Sequence, residues 1–193
     1  MNGCIRAALI LIALTTADVA FAHAPMGEGV SGGLLHPFLV PAHAMSLAAL
    51  GLFIGRQRDQ GIPLLAFAAA LIAGLVALTF AIGETPAAEL LLGNTMLVGM
   101  LLAAAWTPPR ALVWIAAAVT GATLALDSPP ETISVEEADL MLLGTGLGAL
   151  SALGAVAGGA GYLTHPWQRL GVRIVGSWIA ASAILVLALT LVR

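Results

Sequence analysis

Six long apolar stretches alternate with short polar ones along the 193-residue chain, near residues 34 to 55, 63 to 83, 90 to 106, 111 to 127, 139 to 163 and 171 to 192. Each approaches the roughly 20 residues that a helix needs to cross a hydrocarbon core. The pattern predicts an all-α fold: a polytopic membrane helix bundle with six transmembrane helices. The third and fourth stretches are separated only by Thr107-Pro108-Pro109-Arg110, which predicts a tight helical hairpin. No period of 20 to 50 residues recurs, so a tandem duplication is not indicated.

Ahead of these stretches, Arg6, the apolar run Ala7 to Leu14 and the closing Ala20-Phe21-Ala22 form the charged, apolar and A-x-A sections of a secretory signal peptide. The alternative is an uncleaved anchor, although the apolar run is short for a span. Residues 1–22 are thus read as a signal peptide and 23–193 as one six-helix domain, with His23 as the mature N-terminus. His23 to Gly33, HAPMGEGVSGG, is polar and Gly-rich and reads as a lead-in with no helix signal.

Composition supports the membrane assignment. Hydrophobic residues make up 60% of the chain and charged ones 9%, against about 25% charged in ordinary soluble domains. There is no lysine, and the single cysteine, Cys4, lies in the signal segment. No thiolate site is then available to the mature chain, and no basic patch suggests nucleic acid. Arg56 and Arg58 follow the first stretch, Arg110 the third, and Arg169 and Arg173 the fifth, whereas the intervening loops are acidic. By the positive-inside rule the arginine loops are cytoplasmic and both mature termini lie outside the inner membrane of a bacterial-type cell.

Candidate chemistry concentrates in the first stretch, LLHPFLVPAHAMSLAALGLFIG, with His36, Pro37, Pro41 and His43. Ionisable side chains in a span are costly and mark a site by default. On an unbroken helix the two histidines share a face about 10 Å apart along the axis, too far to share one ion at bonds of about 2 Å. They then read as successive stations of a path, unless the prolines open the helix. The plainer reading has His36 bonded to an outer loop and His43 donating to a carbonyl freed by proline. A mature His23 offers its amine and imidazole to a metal such as Cu(II) or Ni(II), and is equally consistent with a flexible tail. The outer loop Asp127 to Asp139, DSPPETISVEEAD, reads chiefly as solvated, with a secondary role in attracting cations. In the fifth stretch Gly144 and Gly148, and again Gly154 and Gly158, stand four apart. This spacing allows close helix packing, against the bundle, a membrane partner or a second copy. No Ser/His/Asp set, phosphate-binding Gly loop or H-E-x-x-H is recognisable, so no enzymatic activity is expected.

These residues carry a resemblance. The chain resembles the HupE/UreJ family of hydrogenase/urease accessory membrane proteins, associated with nickel or cobalt uptake. The family's HPxxGxDHxxAM signature is met here at His36, Pro37 and His43, with Val40 in place of the glycine and Ala42 in place of the aspartate. Its second signature, FHGxAxGxE-like, corresponds to TLALDSPPE, Thr123 to Glu131, where Glu131 fits and the histidine is absent. The resemblance implies handling of a divalent metal ion, nickel or cobalt, with His36, His43 and Glu131 as ligand candidates beside His23. The competing expectation is a non-transporting membrane scaffold or accessory subunit with a degenerate site. Intact-mass measurement of the membrane-extracted protein is expected to find His23 at the N-terminus; a chain retaining Met1 to Ala22 contradicts the signal-peptide reading.

Overall fold

The computed structural model describes residues 29–80, 86–130 and 134–192. Among these residues the chain forms seven helices and no strand: α1 (Gly29–Leu39), α2 (Pro41–Gly55), α3 (Gly61–Thr79), α4 (Ala87–Ala103), α5 (Arg110–Leu126), α6 (Val135–Gly161) and α7 (Pro166–Leu191). Three of them, α3, α6 and α7, are long and apolar enough to span a bilayer alone, and α1 with α2 passes the same test as one broken span. The apolar helices α4 and α5 have 17 residues each. They form the expected hairpin around the Thr107-Pro108-Pro109 connection.

Two expectations require correction. The first apolar stretch is not one helix, because α1 and α2 meet at a 72° bend. The cause is local: Pro41 is the first residue of α2, and Val40 before it is extended at φ −87°, ψ 111°. A proline ring disfavours the helical region for the residue preceding it, while proline itself is well suited to open a helix. Helix also begins earlier than the Gly-rich composition suggested, at Gly29, so the lead-in does not extend to Gly33. Tertiary contact overrides the low helix propensity of Gly32 and Gly33, both of which are buried.

That contact is with α6. A Cβ at Gly33 would strike the carbonyl of Met141, one at Gly144 the carbonyl of Val30, and one at Gly148 the carbonyl of Leu34. Missing side chains thus let the two backbones touch, as helix association in lipid favours. The second glycine pair behaves differently, because Gly154 and Gly158 face open space.

The central helix is α2, which packs against α1, α4, α5, α6 and α7. Its residues Leu47, Leu50, Phe53 and Ile54 join Phe67, Leu71, Leu91, Leu124 and Leu153 in the core. By contrast α7 leaves Trp178, Leu185 and Leu189 exposed, as suits a helix with a lipid-facing side. Among the described residues charge is segregated along the bundle axis, apart from Asp59, which lies with the arginines. Arg56, Arg58, Arg110, Arg169 and Arg173 lie at the end where α2, α4 and α6 finish and α3, α5 and α7 begin. Glu89, Asp127, Glu136, Glu137 and Asp139 lie at the other end.

The α1–α6 contact predicts opposite outcomes for two chemically identical substitutions. Gly144→Ala should destabilise the protein by about 1–3 kcal/mol, the usual cost of overpacking. Gly154→Ala should be neutral or stabilising by up to about 1 kcal/mol through the helix preference of alanine. Thermal unfolding in detergent, which compares the two directly, would contradict this account by giving them equal effects.

Candidate metal site at the helix break

The bend changes the geometry available to the two histidines. His36 sits in the last turn of α1 and His43 in the first turn of α2. Their ring centroids are 5.3 Å apart, edge to face at 61°, so the two-turn separation expected of a straight helix is overturned. For two imidazoles sharing one ion at bonds of about 2 Å, the ring centres fall roughly 4.5–6 Å apart. The observed separation is compatible with one shared ion as well as with two successive positions.

His43 is completely buried, and its Nε2 lies 2.9 Å from Oδ2 of Asp127. The acid side of this pair was expected in a solvated loop; instead Asp127 caps α5, its own N–H bonded to the Thr123 carbonyl, and its carboxylate is about one quarter exposed. A carboxylate at a helix C-terminus faces the negative end of that helix's dipole. Contact with the first turn of α2, the positive end of another helix, offsets this. Carboxylate and imidazole thus bind α5 to the break, and Ser46 supports the same turn by donating to the His43 carbonyl at 2.8 Å.

The second nitrogen of His43 is the chemically informative one. Nδ1 is buried and has no hydrogen-bond partner among the described residues. With Nε2 donating its N–H to the Asp127 carboxylate, Nδ1 is the nitrogen left to offer a lone pair, in an enclosed position. Both ring nitrogens of His36 are buried as well. A histidine that donates one N–H to a carboxylate while its other nitrogen stays free is the arrangement metal-binding histidines usually adopt. The carboxylate fixes the tautomer and raises the basicity of the ligand nitrogen.

The other candidate ligands have different standings. His23, Glu131 and Glu84 lie outside the described residues. Among the described residues no three His, Cys, Asp or Glu side chains converge as a coordination set. Asp127, read from the sequence chiefly as part of a solvated outer loop, is the residue whose pairing with His43 the sequence did not show. The clue was available in its position at the very end of an apolar stretch, where a carboxylate at a helix end needs a counterpart.

A family model described as HupE / UreJ protein matches residues 10–186, nearly the whole chain. The chain belongs to the HupE/UreJ family. Membership implies a nickel/cobalt accessory or permease-like membrane protein, and HupE/UreJ proteins are accessory or transport proteins, not enzymes. No curated protein and no solved structure matches the chain.

For this HupE/UreJ protein the tautomer is directly measurable. Nitrogen-15 NMR of histidine-labelled protein should show His43 protonated at Nε2 and bare at Nδ1, and Asp127→Ala should abolish that preference. The same substitution leaves a buried donor unpaired and should cost about 1–3 kcal/mol of stability. Finding the proton of His43 on Nδ1 in the unaltered protein would contradict the assignment.

Proposed function

We propose that the protein handles or transports a divalent transition metal, nickel or cobalt, across a bacterial-type inner membrane, with the ion passing the break between α1 and α2. The observation that carries this reading is the buried Nδ1 of His43, without a hydrogen-bond partner among the described residues, on a ring whose centroid is 5.3 Å from that of His36 and whose Nε2 is held by Asp127. Imidazole nitrogen suits nickel and cobalt, whereas magnesium and calcium prefer oxygen. Membership of the HupE/UreJ family supports the same cargo.

The broken span adds a physical reason. Interrupted helices in transporters leave helix-end carbonyls and negative dipole ends near the bound cation. Here the C-terminal end of α1 points into the break, and Asp127 supplies the charge that two neutral imidazoles lack. In family terms, the carboxylate missing at Ala42 is replaced from another helix. Two imidazoles are fewer ligands than a permanent structural site requires, which suits a site that must release its ion. His23 and Glu131 remain candidates for capture at the outer mouth, with the acidic end of the bundle as electrostatic attractor.

The topology proposed with this function is six spans after a cleaved signal peptide, counting α1 and α2 as one. The arginine-bearing end is then cytoplasmic and both mature termini are outside. Metal would enter at the acidic end, where His36 and His43 lie, and leave toward the arginines.

Cells producing the protein should accumulate more nickel or cobalt than cells lacking it, and His43→Ala should return accumulation to the background. Titration of nickel, cobalt, copper and zinc into purified protein should show Asp127→Asn weakening binding by about 10–100-fold, the usual effect of removing a histidine's carboxylate partner. Equal affinities in the unaltered, His36→Ala, His43→Ala and Asp127→Asn proteins would sink the proposal and favour a non-transporting accessory subunit.

A further inference from the structure

The opposite end of the bundle holds a second polar feature that metal handling does not use. A cavity of about 410 Å³ opens between the end of α2, the end of α6 and the start of α7. Among the described residues its lining includes Arg56, Arg58 and Arg169 and no carboxylate. Asp59, the nearby acid in sequence, lines a separate cavity with Arg58 and Arg110, and its Oδ1 accepts the Gly61 N–H at 3.1 Å.

Arginine at a helix C-terminus is ordinarily explained by the carbonyls it serves. Here those carbonyls are served by other groups. Gln57 Nε2 donates to the Phe53 carbonyl and Gln60 Nε2 to the Gly55 carbonyl, each at 3.2 Å. Arg173 is committed elsewhere, its Nε donating to the Ala103 carbonyl at 2.9 Å. Arg56, Arg58 and Arg169 have neither an ion pair nor a side-chain hydrogen bond to a described residue. Arg56 is held below the usual guanidinium range, first by burial and then by the positive charges of Arg169 and Arg173. An anion in the cavity would relieve both.

The depth of the cavity indicates the kind of anion. Tyr162, between the lining residues Gly161 and Leu163, and Trp167, two residues before Arg169, are 84% and 72% exposed, and Trp106 is exposed at the same end. Exposed tryptophan and tyrosine at one level of a membrane bundle mark the headgroup layer. Guanidinium forks match phosphate oxygens in geometry, and basic pockets between helix ends on the cytoplasmic side bind anionic headgroups.

We propose that this cavity is a phosphate site, in which Arg56 and Arg169, with Arg58 at the rim, hold the phosphate of an anionic lipid headgroup or free inorganic phosphate. Occupation neutralises like charges at the junction of α2, α6 and α7, and so steadies the central helix from the end opposite its histidine.

The test uses the full chain purified in an uncharged detergent and titrated separately with dihexanoyl phosphatidylglycerol, dihexanoyl phosphatidylcholine and inorganic phosphate. At least one phosphate probe should bind saturably, and the Arg56→Gln/Arg169→Gln pair should weaken it at least tenfold while Arg110→Gln leaves it unchanged. Binding of phosphatidylglycerol alone identifies a lipid headgroup; binding of inorganic phosphate identifies the free ion. Circular dichroism checks folding, and Arg169→Gln alone, on the exposed first turn of α7, serves if the double variant does not fold. Absence of binding by every probe, binding by phosphatidylcholine equal to that by phosphatidylglycerol with no response to inorganic phosphate, or equal affinity in the arginine variants would overturn the proposal.

Discussion

The bond between His43 and Asp127 is the constraint on which the candidate site depends. It joins the first turn of one helix to the last turn of another across 84 residues of sequence. It also decides which nitrogen of a fully buried ring keeps its lone pair. An imidazole inside a bundle can be a satisfied core residue or a ligand, and the difference lies in where its second nitrogen points. Here one nitrogen is held by a carboxylate and the other is buried without a hydrogen-bond partner among the described residues, on a ring 5.3 Å from a second imidazole, the arrangement that metal-binding histidines usually adopt.

The neighbouring position of His36 exists because the chain breaks before Pro41. An unbroken helix would carry His36 and His43 on one face two turns apart. The 72° bend folds α1 back so that the rings meet. Such a bend has to be held, and the glycines of α1 and α6 hold it. Gly33, Gly144 and Gly148 allow backbone contact with α1 from Val30 to Leu34, so the position of His36, in the next turn, rests on residues with no side chain. Sequence signals that looked independent, two prolines, two histidines and a glycine-spaced helix, belong to one structural device.

Much of this was legible beforehand. Helix positions beyond the first stretch followed from hydropathy, because a bilayer leaves few ways to satisfy a backbone. The segregation of arginines from acids followed from their alternation between loops. The family resemblance rested on His36, Pro37 and His43, and it extends over nearly the whole chain. Two things were not legible. Proline restricts local dihedral angles, but the direction and size of a bend are set by what the displaced segment packs against, and so the start of α1 at Gly29 was hidden by its glycines. The partner of His43 was hidden for a similar reason: Asp127 lies three helices further along the chain and reads, one residue at a time, as the beginning of a solvated loop.

The central claim is that a transition metal binds at the break through His36 and His43. X-ray absorption at the nickel edge, on nickel-loaded protein, tests it most directly. Imidazole nitrogens at about 2 Å should appear in the spectrum, and that signature should be lost when both histidines are replaced by alanine. A spectrum unchanged by the double replacement would place the metal elsewhere and contradict the account.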